Sequence, residues 1–157
     1  MYGNDILPGV NVSDTYRDKG SIWRGYTEAT WFKVVQVNGS TEEAVSIREG
    51  TIMKELAADG SYTPITASDI VSSNANLPGS RLVIVADKNA KTGTTKTTTE
   101  GTEATSSSVL VGIQGHVDKA RIFVGDTPFT ELSNSQQISL NSQLEAWNFL
   151  LVNVQQS

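Results

Sequence analysis

The chain has 157 residues, carries 12 Lys and Arg against 17 Asp and Glu for a net charge of −5, and contains no cysteine. That length suits one domain with an appended arm rather than two full domains, and the acidic balance leaves no electrostatic footprint for a nucleic acid. The missing cysteine excludes disulfides, thiolate metal sites and cysteine nucleophiles, and no apolar run approaches the roughly 18 residues that a membrane span needs, so no membrane partner is expected.

The opening MYGNDILPGVNVSD lacks the basic region and apolar core of a signal peptide, so export by the general route would require a leader outside this sequence. Residues 1–25 scatter apolar side chains among Gly3, Pro8, Gly9, Gly20 and Gly25 and hold neither a 3.6 nor a steady 2 period, which reads as an extended arm. Tyr2, Tyr16 and Trp23 are costly to leave in water, so this arm is expected to pack on its own domain or on a partner.

Residues 26–157 form the body. Trp31–Val37, WFKVVQV, predicts a strand, and Asn38–Gly39 predicts a tight hairpin at positive φ with Ala44–Ile47 as the return strand. Thr51–Leu56 and Tyr62–Ile65 flank Asp59–Gly60, a second hairpin signature. Residues 66–80 read as a polar loop in which Ser68–Val71 begins a short helical turn, and Arg81–Ala86, RLVIVA, predicts a strand buried on both faces.

Residues 91–108, KTGTTKTTTEGTEATSSS, contain no large apolar side chain. The expected state is a long mobile loop between core strands, with a protruding two-stranded ribbon as the alternative that threonine's β propensity allows. Val109–Phe129 is the stretch around which the chain is organised: an apolar strand bearing Gly112 and Gly115, a turn through Val117–Asp118–Lys119, and a second apolar run at Ala120–Val124. Ser133 followed by Gln136 predicts a helix start by a capping box, with Ile138, Leu140, Leu144 and Trp147 on one stripe opposite Gln137, Asn141 and Glu145. Asn148 ends that helix and Phe149–Val154 returns as a final strand. The expected fold is mainly β, a small β-rich α+β domain with an antiparallel or mixed sheet and one C-terminal helix.

Catalytic constellations are hard to find. His116 is the only histidine, so a Ser/His/Asp arrangement would have to use it, and no second histidine exists for zinc. Asp87–Lys88 and Asp118–Lys119 are accounted for as turn residues, and Gly112–Gln114–Gly115 lies within strand without the helix start that a phosphate loop requires. Calcium at Asp87 and Asn89 would lack the closing glutamate of a hand-type loop. Trp31 and Trp147 are assigned to the core, which leaves Trp23 as an anchor. Neither an enzyme nor a cofactor or metal is expected.

Four pieces in order carry a resemblance to a known family. Ile47–Met53 (IREGTIM) is followed by Ala58–Pro64 (ADGSYTP), then by the strand Leu82–Asp87 (LVIVAD), and then by Val109–Val117 (VLVGIQGHV) with Asp118–Ile122, the helix and Phe149–Val154. This set, covering roughly residues 44–154, resembles the head decoration proteins of tailed bacteriophages, the lambda-type capsid-stabilising family. The longer N-terminal segment is similar to a head-fibre or otherwise elaborated variant, and the Thr-rich insertion at residues 91–108 departs from the family's pattern.

The resemblance implies a non-enzymatic virion protein on the outer surface of the capsid, made in the bacterial cytoplasm. Its expected partners are the major capsid protein and itself, as a homotrimer at three-fold or quasi-three-fold positions. It also implies an arm that orders on the capsid, with Tyr2, Ile6, Leu7, Val10, Val12, Tyr16 and Trp23 as the contact residues. A host-surface or carbohydrate-binding module of the virion is the alternative reading.

Overall fold

Apolar and β-branched residues dominate Trp31–Asn38 and the central part of Ser106–Asp118, and these become the two longest strands, β2 and β8, of the computed structural model. The structure describes residues 22–24, 30–70 and 80–153. Between and around the long strands lie β1 (Trp23–Arg24), β3 (Ile52–Glu55), β4 (Tyr62–Pro64), β5 (Leu82–Val85), β6 (Thr95–Thr98) and β7 (Gly101–Ala104). After β8 come β9 (Phe123–Val124), β10 (Thr127–Pro128), the helix α1 (Asn134–Ala146) and β11 (Phe149–Val152). Among the described residues the domain is mainly β with a single α-helix near its C-terminal end, the class that the sequence predicts.

β8 pairs antiparallel with β2 along one edge and with β5 along the other; β5 pairs with β3, β3 with β4, and β4 returns to β2 through the parallel pair Val37 and Tyr62. The five strands therefore close into a small barrel. Alternation then sorts the side chains. Met53, Val83 and Val85 point inward with Val35, Val37, Tyr62, Val109 and Val111, while Ile52, Leu82 and Ile84 point outward into a second apolar cluster with Leu140, Leu144 and Phe149. That is why β5 is buried on both faces, as expected for RLVIVA.

Past the barrel, β8 continues and changes neighbours: β1 pairs with it antiparallel at His116 and Val117, and β11 pairs with it in parallel from Gly115 to Asp118. The register slips between Trp31 and Phe32, and Gly115 adopts φ +145 where a side chain would fall within 3.2 Å of three Thr30 atoms. Together these devices turn the odd-numbered face of β8 from the barrel interior at Val109 and Val111 to the helix side at Val117. The helix starts at the capping box: the Ser133 hydroxyl accepts from the Gln136 N–H at 3.3 Å, and the Ser133 N–H donates to Gln136 Oε1 at 3.2 Å. Asn148 at φ 66 ends it.

Several expectations are corrected. The Asn38–Gly39 hairpin does not form; Ala44–Ile47 is not a strand, and Ser46 makes only an isolated bridge to Lys91. Gly39 is needed for close approach instead, since a Cβ there would lie 1.8 Å from the Gly93 carbonyl oxygen. Residues 91–108 are not a loop: Thr95–Thr98 and Gly101–Ala104 form an antiparallel ribbon, and β8 has begun by Ser106. Threonine's branched Cβ favours the pleat, and the ladder satisfies the backbone without a core beneath it. The run Ala120–Val124 is a 3₁₀ turn at Lys119–Arg121 followed by the short β9. On α1, Ile138 is 56% exposed, and the buried face is Ser139, Leu140, Gln143 and Leu144.

Candidate interaction surface

Two outer features of the barrel are open among the described residues, and both involve β2. The first is its outward face. Val35 and Val37 fill the barrel, so Phe32 and Val34 lie on the other side of the strand, beside Leu110 of β8, where Val34 and Leu110 are register partners. All three are exposed, Val34 at 60%, and Trp31 at the strand's start is 58% exposed. The assignment of Trp31 to the core is thereby overturned: the register slip after it turns its side chain away from the interior. Trp147 does pack against the core, with the Arg81 guanidinium 5.4 Å from its ring centre.

Further along the same face the side chains are polar but uncharged and bonded to one another. Gln36 donates to Ser108 Oγ at 3.0 Å, and the Ser106 hydroxyl donates to Gln36 Oε1 at 3.1 Å.

The second feature is an open cleft of about 380 Å³ where β4 diverges from β2, bordered by Lys33, Gln36, Glu55, Asp59 and Tyr62. Its polar groups are held by their neighbours. Asp59 accepts from the Ser61 hydroxyl at 2.6 Å, the Ser61 N–H at 3.0 Å and Asn38 Nδ2 at 3.1 Å, and these bonds hold its carboxyl below the usual range. Burial, then the hydroxyl's bond to Glu55 Oε2 at 3.0 Å and that carboxylate's charge, push Tyr62 up to about 12. A carboxylate stabilised in its charged form is a poor proton acceptor, and a tyrosine that loses its proton only near pH 12 is a poor general base at neutral pH. The cleft offers shape and a set of hydrogen-bonding groups fixed by their neighbours.

His116 lies on β8 between β1 and β11, away from both features, and is exposed. Among the described residues, no group of three or more His, Asp or Glu side chains could hold a metal ion, and no helix is long and apolar enough to cross a membrane. Of the expected contact residues, Tyr2, Ile6, Leu7, Val10, Val12 and Tyr16 lie outside the described residues. Trp23 is in β1, opposite Val117.

Sequence reasoning missed the β2–β8 face. The signal was present: WFKVVQV is apolar at Phe32 and Val34 as well as at Val35 and Val37, so the strand is apolar on both sides rather than alternating. Comparison with protein-family models, with characterised proteins and with solved structures finds no match to this chain.

Proposed function

We propose that the protein is a non-enzymatic virion component that decorates the outer surface of a tailed-phage capsid and stabilises it. In this reading it sits as a homotrimer at three-fold or quasi-three-fold positions, with the N-terminal arm clamping the major capsid protein. The ordered sequence resemblance motivates the reading, and one structural observation carries it: the way the arm joins the body. Ile22 is 3% exposed and its carbonyl accepts from the Asp118 N–H at 2.9 Å; the next two residues pair with Val117 and His116. The arm thus feeds into β8, the strand that also pairs with β2, β5 and β11. A load carried through Ile22 and β1 passes into β8, the best-connected strand of the body. Extended backbone added to a sheet edge gains main-chain hydrogen bonds while alternate side chains fill pockets, and three arms on one oligomer convert modest contacts into avid binding.

The same join fixes where a truncation must stop. Removing residues 2–21 spares Ile22 and β1, so the variant should fold and keep its oligomeric state yet fail to co-sediment with expanded capsids. Co-sedimentation at the wild-type level by this truncated protein would overturn the clamp.

A further inference from the structure

The barrel closes unevenly. β2 runs beside β8 for its whole length and β3 and β4 share three register pairs, but β2 and β4 meet in the single pair Val37 and Tyr62. Side chains reinforce that seam at its end: Asn38 donates through Nδ2 to Asp59 Oδ2 at 3.1 Å and to Ser61 Oγ at 2.9 Å, tying β2 to the β3–β4 turn. Asn38 is exposed, so water reaches its amide. The residue after it is Gly39, and packing demands a glycine there because a Cβ would lie 1.8 Å from the Gly93 carbonyl oxygen.

We propose that Asn38 is a self-modification site, at which opening of the β2–β4 seam is recorded irreversibly by hydrolysis of the side-chain amide to a carboxylate. The Gly39 backbone nitrogen attacks Asn38 Cγ and gives up its proton, the Cγ–Nδ2 bond breaks, and ammonia leaves carrying that proton. Water then opens the cyclic imide at one carbonyl or the other, leaving aspartate or isoaspartate at position 38. Glycine permits the attack, since no side chain crowds its nitrogen and its backbone bends freely.

The closed seam opposes this reaction. Strand geometry extends the backbone at Asn38 and two acceptors fix the amide, which holds the nitrogen out of attacking geometry. Opening releases both restraints together, because the bonds that fix the amide are the ones that close the seam. The product cannot restore them. A carboxylate at position 38 has no proton to donate at neutral pH, and it faces the Asp59 carboxylate at the distance of the former hydrogen bond. The Ser61 hydroxyl and N–H keep Asp59 in its charged form, so two like charges meet where a donor and an acceptor had met.

Peptide mass spectrometry of the full-length protein during incubation in mildly alkaline buffer tests the proposal, with the tryptic peptide 34–48 reporting on position 38. The native protein should lose the amide more slowly than the same protein in urea, by about tenfold or more. Asp59→Ala, which removes an acceptor, should keep the wild-type circular dichroism and raise the native rate by about fivefold, the factor that one hydrogen bond supplies. Equal rates in buffer and in urea, or an unchanged rate in Asp59→Ala, would each overturn the gating by the seam. The consequence of the reaction is read separately in urea unfolding. Asn38→Asp should unfold at a lower midpoint than Asn38→Ala, which loses the same bonds without adding a charge. Adding Asp59→Asn to Asn38→Asp should recover the midpoint, because donor and acceptor then exchange places, and this pair keeps the test open if Asn38→Asp alone fails to fold. A midpoint for Asn38→Asp at or above that of Asn38→Ala, or no recovery in the double variant, would overturn the one-way character of the site.

Discussion

The barrel has two outer flanks built by the same alternation, and they meet different fates. Outward side chains of β3 and β5, Ile52, Leu82 and Ile84, are sealed by α1 and β11 and are 0–2% exposed. Outward side chains of β2 and β8, Phe32, Val34 and Leu110, are as apolar but are 39–60% exposed. An apolar residue on a sheet's outer face therefore does not by itself report burial; on the β3–β5 side it is α1 and β11 that bury it. The covered flank holds the domain together. The other remains exposed among the described residues.

Several measurements would break or sharpen this contrast. The largest effect is expected on the covered flank: Ile84→Ala removes a fully buried side chain from β5 and should cost about 2–5 kcal/mol in urea unfolding, whereas Val34→Ala should stay within about 0.5 kcal/mol. Equal costs would erase the distinction between the flanks. Tyr62 provides the next test, from inside the barrel. Its pKa is raised from 10.0 to about 12, so the folded state keeps a proton that the unfolded chain releases. Stability from this group is fully present below about pH 10 and is lost as pH rises toward 12, by about 1–2 kcal/mol once solvent screening at the open cleft is allowed for. Tyr62→Phe should flatten that alkaline slope, and a slope that persists in the variant would assign it elsewhere.

On the element that does the covering, Ser133→Ala removes the helix cap and should lower the unfolding free energy by about 1 kcal/mol, with a matching loss of α1 protection in hydrogen exchange. The smallest effect is at the edge of the covered flank. Burial pushes the Asp69 carboxyl up, but hydrogen bonds from Lys54 and Thr66 outweigh it and hold the group below its ordinary value of 3.8. Its contribution is present above that value and fades as pH falls through the lower, folded one. Asp69→Asn should remove an acid-limb slope worth less than about 1 kcal/mol, and an unchanged acid limb would show that the Lys54 ion pair contributes nothing.

Much of the covered flank was legible in the sequence, because local rules and burial agree there. RLVIVA is apolar on both parities and is buried on both faces; Asp59–Gly60 sits in the β3–β4 connection; Ser133 and Gln136 form the capping box. The misreadings occur where a long-range contact overrides a local signal. Asn38–Gly39 carries hairpin chemistry, but β2 already has β8 along its edge, and Gly39 serves the approach of Gly93. The Thr-rich residues 95–104 lack any core, yet hydrogen bonds between the two strands suffice to build a ribbon. Trp31 looked like a core residue because size and strand context argue for burial, and only the register slip places it outside. The exposed face was written in WFKVVQV, but a strand apolar on both sides has the same appearance whether its second face is buried or exposed.

The central claim is capsid decoration, and the most direct measurement is to add the purified protein to expanded capsids stripped of decoration, pellet them, and image the pellet by electron cryomicroscopy. The account predicts saturable binding, density at three-fold or quasi-three-fold positions, and the N-terminal arm in contact with the capsid protein. A well-folded protein that leaves every such position empty would contradict it.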